Sequence, residues 1–187
     1  AGVEAGLAVD LLLGPTHLAP PEGCTVHRFV SAIELDALAE ALWPDVDALV
    51  ATAAVCDYRP AERIAGKRKK EPGDWNLRLV RNPDVLGNRA REKGERRLIG
   101  FALESTDGTG SAAADARRRE ALRKLEQKSL DVIILNGPAN MGAHRGVFEW
   151  IDARSTQASA GDTPDSPTTL TKPEIARRII EFLVPSN

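Results

Sequence analysis

A succession of short apolar runs, each closed by turn or cap residues, sets the strongest limit on what this 187-residue chain folds into. Residues 8–13 (A-V-D-L-L-L) stop at Gly14-Pro15 and are too few for a stable helix, which suits a buried parallel strand. Residues 25–30 (T-V-H-R-F-V) alternate apolar and polar side chains, as do residues 75–80. Residues 47–52, 98–102 and 131–135 are further strand candidates. Between them stand helix signals. Ser31-Ala32-Ile33-Glu34 has capping-box spacing and predicts a helix to about Trp43. Asn82-Pro83 supplies an N-cap with proline at the first helical position. Residues 112–128 are rich in Ala, Leu, Arg and Glu without Gly or Pro. Thr171-Lys172-Pro173-Glu174 repeats the capping box before a helix carrying Ile175, Ile179, Ile180 and Leu183 on one face. Strands alternating with helices predict an α/β domain with a mainly parallel sheet. Residues 156–169, dense in Ser, Thr, Pro, Gly and Asp, read as a mobile loop.

The length suits one domain over residues 1–187. A formal net charge of -2 gives no footprint for nucleic acid or an anionic membrane. The longest apolar run, residues 48–56, is less than half of the roughly 20 residues a membrane helix needs. Cys24 and Cys56 lack metal-ligand or disulfide-framework spacing, so a reduced, cytoplasmic setting is expected. The N-terminus has no secretory signal, and its A-G-V-E-A-G-L-A reads like the last turns of a helix.

The stretch from Ala51 to Lys70 carries the most chemistry. Polar residues past the end of a parallel strand stand where such sheets present ligand sites, and Asp57 and Arg59 lie there. Lys67, Arg68, Lys69 and Lys70 then concentrate positive charge; a solvated loop and a clamp over a polyphosphate are both open from the run alone. The helix start at Asn82-Pro83-Asp84-Val85-Leu86 is equally a plain cap or an anion-binding edge. Lys124 and Lys128 share a helix face. Phe101 near a strand end has core packing as its simpler reading, and Asn136 has a turn. His17, His27 and His144 have no metal spacing, and no G-x-S-x-G elbow, Tyr-x-x-x-Lys pair or G-x-G-x-x-G is present, which argues against hydrolase and NAD(P)-oxidoreductase chemistry.

Taken in order, A-A-V-C-D-Y-R-P, G-K-R-K-K, N-P-D-V-L, G-F-A-L-E-S-T and A-L-R-K-L-E-Q-K-S-L-D-V-I-I-L-N resemble phosphopantothenoylcysteine synthetase across nearly the whole chain. The resemblance implies a three-layer, Rossmann-like α/β domain. It implies a ligase of coenzyme A synthesis that activates 4′-phosphopantothenate with CTP, releases pyrophosphate, and lets the amine of L-cysteine attack the acyl-cytidylate. By that resemblance Lys67 is the catalytic cation on the triphosphate. Ala51, Thr52, Ala53, Asp57, Pro83, Asp84, Val85, Leu86, Phe101, Lys124 and Lys128 join it as nucleotide contacts, and Asn136 matches a family asparagine of unassigned role. Mg²⁺ is expected with CTP, without an assignable ligand, and a homodimer is expected. FMN, which serves the family's decarboxylase domain, is not expected on this chain.

The sequence departs from the family pattern in three places. Cys56 replaces a usual alanine, and an insertion between Thr106 and Lys124 is expected to lengthen a loop. The family's first strand, glycine-rich loop and S-S-G-K-M-G-like segment with its asparagine are absent, so the chain is expected to be N-terminally incomplete. A nucleotide-binding regulatory module or inactive relative is the alternative to an enzyme.

Overall fold

The computed structural model describes residues 1–67, 69–70, 72–103, 110–152 and 166–184. In chain order the strands and helices are β1 (Asp10–Leu13), β2 (Thr25–Arg28), α1 (Ala32–Leu42), β3 (Ala48–Ala51), β4 (Tyr58–Pro60), β5 (Leu79–Arg81), α2 (Val85–Arg91), β6 (Arg97–Leu103), α3 (Ser111–Gln127), β7 (Val132–Asn136), β8 (Arg145–Asp152), β9 (Thr168–Thr171) and α4 (Lys172–Leu183). The N-terminal segment expected to be helical holds one 3-10 turn, Val3–Ala5, closed by Gly6 at φ 80°.

The main sheet has the order β3-β6-β7-β8-β9. Its β3, β6 and β7 pair in parallel. The connection from β7 to β8 is too short for a crossover helix, so β8 returns antiparallel, and β9 follows it antiparallel at the edge. β1 and β2 form a separate parallel pair, with Asp10 opposite Thr25 and Leu13 opposite Arg28.

Strand alternation divides the core in two. Leu98, Ala102, Ile133, Leu135 and Ile151 face Trp43 and the α3 residues Ala121 and Leu125, with Leu86 and Ala90 of α2 packed alongside. Ile99, Val132, Ile134, Phe148 and Trp150 face Ile175 and Ile179 of α4. Helices on both faces of one sheet make the three-layer, Rossmann-like arrangement that the alternation of signals predicts. Both capping boxes form: Ser31 with Glu34 starts α1, and Thr171 with Glu174 starts α4.

Three sequence expectations need correction. Only Leu79 and Val80 of the 75–80 segment form strand, in β5, whose one partner among the described residues, β4, is three residues long; Trp75 and Leu77 are exposed. The N-cap of α2 is Asp84, whose carboxylate accepts from the Gly87 N–H at 3.0 Å, and not Asn82. Asn82 is occupied elsewhere. Thr168 and Thr169, assigned by composition to a loop, pair with Phe148 and Val147 in β9. The rest of that expected loop up to residue 165, Arg68 of the basic run, and residues 104–109 lie outside the described residues. From Ser111 onward, the interval expected to hold a longer loop is helix.

One buried group works against this fold. Arg89 in α2 is 4% exposed, and among the described residues its Nε and Nη1 find no hydrogen-bond acceptor. Glu92 Oε2 lies 3.5 Å from Nη1 and is itself largely exposed. A buried donor without an acceptor keeps its desolvation cost. Arg89→Leu is therefore expected to raise stability by about 1–2 kcal/mol, read as a higher urea midpoint with an unchanged slope.

Candidate nucleotide site

β3 ends at Ala51, and the chain leaves the sheet through Thr52, Ala53 and on to Asp57, all exposed apart from half-buried Ala51. What fixes this loop is Asn82. Its backbone N–H donates to the Asp57 carbonyl at 2.8 Å, and its Nδ2 donates to the Cys56 carbonyl at 2.7 Å. Its Oδ1 accepts from Arg59 Nη1 at 3.3 Å, and the same nitrogen reaches the Arg81 carbonyl. One asparagine thus ties the strand-end loop to the segment that opens α2. Sequence reasoning gave Asn82 a capping role; the side chain instead joins two stretches predicted to meet at one ligand.

Two residues later, Asp84 caps α2 and also reaches α3: Lys128 Nζ lies 2.8 Å from its Oδ1. The bridge spans a cleft of about 220 Å³ lined by Asp84, Gly87, Ala90, Arg91, Gln127, Lys128 and Ser129. Burial pushes the Asp84 carboxyl up, but the Lys128 hydrogen bond, the Gly87 N–H and the charges of Lys128 and Arg91 outweigh it and hold it below its ordinary 3.8. The Asp84 carboxylate therefore contributes stability above pH 3.8 that is lost as pH falls through its lowered value. Asp84→Asn retains a capping oxygen without the charge, so its stability is expected to fall less steeply than the parent's across this acid range, measured by denaturant titration at stepped pH.

The floor of the cleft depends on how α3 ends. Ser129 takes a left-handed φ of 46°, with its N–H on the Glu126 carbonyl and the Leu130 N–H on the Leu125 carbonyl. This is a Schellman turn with serine where glycine is usual, and it turns Lys128 toward α2 while sending Leu130 into the core. Gly100 in β6 makes room for the same approach: a Cβ there would stand 3.0 Å from Leu130 and 3.2 Å from Leu86.

The predicted residues fall into distinct places. Asp84, Leu86, Lys124 and Lys128 belong to α2, α3 and the turn after it, on one face of the sheet, with Pro83 and Val85 flanking the cap. Lys124 lies 3.8 Å from Glu120 one turn earlier. Phe101 packs with the α4 side of the core, so its side chain is on the opposite face from the Asp84–Lys128 bridge. Asn136 ends β7 opposite Leu103 and Phe148, and its Oδ1 is buried without a partner among the described residues. Lys67 is exposed in the long connection between β4 and β5.

Residues 1–185 match the family model of the DNA/pantothenate metabolism flavoprotein C-terminal domain. The chain belongs to this family. Both the match and the ordered motifs lead to the phosphopantothenoylcysteine synthetase domain. Similar relatives are the coenzyme A biosynthesis bifunctional proteins CoaBC of Mycolicibacterium smegmatis, 35% identical over 96% of the chain, and of Bacillus subtilis, 33% identical over 78%. The chain spans 43% of the first of these relatives and 34% of the second. Among solved structures, the C-terminal domain of a CoaBC protein superposes with a TM-score of 0.72 at 27% identity, covering 97% of this chain and 76% of that one. A flavoprotein of the same description from Streptococcus pneumoniae reaches 0.75 at 20% identity, covering 97% and 82%, and shares the fold.

Within this synthetase-family domain, sequence reasoning passed over Asn82, which ties the strand-end loop to the start of α2, and Gly87, Arg91, Gln127 and Ser129, which line the cleft. Only Asn82 had a visible signal, its place before Pro83. The others become neighbours through the packing of α2 against the end of α3.

Proposed function

We propose that this domain condenses 4′-phosphopantothenate with L-cysteine, using CTP. The substrate carboxylate attacks the α-phosphorus of CTP and pyrophosphate leaves. The cysteine amine then attacks the acyl carbon of the acyl-cytidylate; the C–N bond forms, the C–O bond to CMP breaks, and the amine gives up a proton. The observation that carries the reading is the Asp84–Lys128 bridge across the cleft, joined through Asn82 to the strand-end loop ending at Asp57. It gathers, from three separate stretches, residues expected at one nucleotide.

In this reading the strand-end loop from Ala51 to Asp57 and the α2 start from Pro83 to Leu86 hold the nucleoside, and Lys67 closes over the triphosphate. A fixed cation lowers the cost of charge developing on the phosphates. Among the described residues no cluster of three or more metal-binding side chains occurs. Mg²⁺ would arrive on the triphosphate, where it would neutralise phosphate charge. The reaction is taken to be cytoplasmic, and among the described residues no helix is long and apolar enough to cross a membrane.

A homodimer is part of the proposal. Tyr58, Ile64, Trp75, Leu77 and Leu79 are all at least half exposed, on or beside the β4–β5 pair. Large apolar side chains grouped in this way favour a protein partner.

The test is single-turnover mixing with labelled CTP and phosphopantothenate. Pyrophosphate release that requires phosphopantothenate, followed by amide formation when cysteine is added, is the expected result. CTP binding without pyrophosphate release would move the assignment to a nucleotide-binding regulatory module.

A further inference from the structure

The strand-end loop has little of its own to hold it. Residues 52–57 form neither strand nor helix and are all exposed, so packing does not fix their path. Two of their carbonyls are instead drawn onto half-buried Asn82, which donates to Cys56 through Nδ2 and to Asp57 through its backbone N–H. The other polar atom of that side chain, Oδ1, accepts from Arg59 Nη1 at 3.3 Å, and the same nitrogen donates to the Arg81 carbonyl. A guanidinium has donors only and a carbonyl oxygen only accepts, so these two neighbours allow one orientation of the Asn82 amide. Turned over, the amide would set Nδ2 against the guanidinium and Oδ1 against the Cys56 carbonyl. The clasp closes on the last rung of the β4–β5 ladder: Tyr58, which follows Asp57, pairs with Arg81, which precedes Asn82, and Arg59 stands opposite Val80.

We infer that Arg59 is a positioning residue of the nucleotide site, which sets the Asn82 amide and through it the spacing between the strand-end loop and the start of α2. The inference rests on these two stretches being the walls that hold the nucleoside. Arg59 acts on the free chain, without touching the ligand. With the clasp closed, the two walls already stand at their spacing. With it open, the nucleotide must order an exposed loop as it binds, and affinity falls by the cost of that ordering. The simpler role for Arg59 is to fasten β4 to β5 through the Arg81 carbonyl. Asn82→Asp separates the two roles. It keeps an acceptor for Arg59, so the fastening stays, but it turns an oxygen toward the Cys56 carbonyl where a donor is needed.

The experiment is calorimetric titration of the parent chain, Arg59→Met and Asn82→Asp with CTP and with cytidine. Arg59→Met keeps the apolar stem of the side chain and removes its donors. Each variant is expected to bind both ligands about tenfold less tightly than the parent. Equal losses distinguish positioning from charge, because cytidine carries no phosphate for an added or removed charge to act on. Circular dichroism and melting curves confirm that the variants are folded, and Asn82→Asp carries the test if Arg59→Met does not fold. A folded variant of either kind that binds cytidine as the parent does overturns the positioning role of Arg59 and leaves the nucleotide site standing. A folded parent chain that binds neither CTP nor cytidine overturns both.

Discussion

Arg118→Ala is expected to destabilise the fold by about 3–5 kcal/mol. Glu149 lies in β8 facing α3, 8% exposed, and Arg118 is its ion-pair partner. Removing the guanidinium leaves a carboxylate in the core without its cation, and the cost is mainly that of the stranded charge. The double replacement Arg118→Met with Glu149→Leu removes both charges and keeps much of the volume, so it should lie within about 1 kcal/mol of the parent. Chemical denaturation of the two single variants and the double variant closes the cycle. A single-variant loss below about 1 kcal/mol would show a pair that water screens as it does on a surface.

Lys67→Ala is expected to weaken CTP binding or acyl-nucleotide formation by at least about tenfold, toward the hundredfold loss seen when one preorganised donor to developing charge is removed. Lys67 is exposed, so the substitution should leave the melting temperature unchanged. The loss should be specific to the triphosphate: affinity for cytidine, which lacks phosphates, should not change. Unchanged single-turnover kinetics would remove Lys67 from the mechanism.

The parts of this molecule visible in sequence are those governed by local rules. Both capping boxes, the apolar stripe of α4 and the parallel strands β3, β6 and β7 depend on residues close together in the chain, and they form as their patterns predict. β8 is harder to see, because residues 148–152 are buried on both faces and Glu149 and Asp152 interrupt the apolar run. β9 is hidden by its own composition: a Thr-rich strand resembles the Ser/Thr/Pro-rich stretch that precedes it in sequence. The family motifs pick out Asp84 and Lys128, but nothing local says that they touch. That contact exists because Ser129 turns the chain left-handed and Gly100 lets Leu86 and Leu130 close over the sheet. Asn82 shows the same limit, since its partners Cys56 and Asp57 lie far away in sequence. Phe101 shows it in reverse: strand alternation sends its side chain away from the cleft.

The most direct test of the account is titration of the isotope-labelled chain with CTP, followed through backbone amide resonances. Saturable shifts centred on Thr52 to Asp57, Asp84 to Gly87 and Gln127 to Ser129, with smaller ones along α4, are the predicted result. A folded chain whose resonances at these positions stay unmoved, or shift only on the α4 face of the sheet, would contradict it.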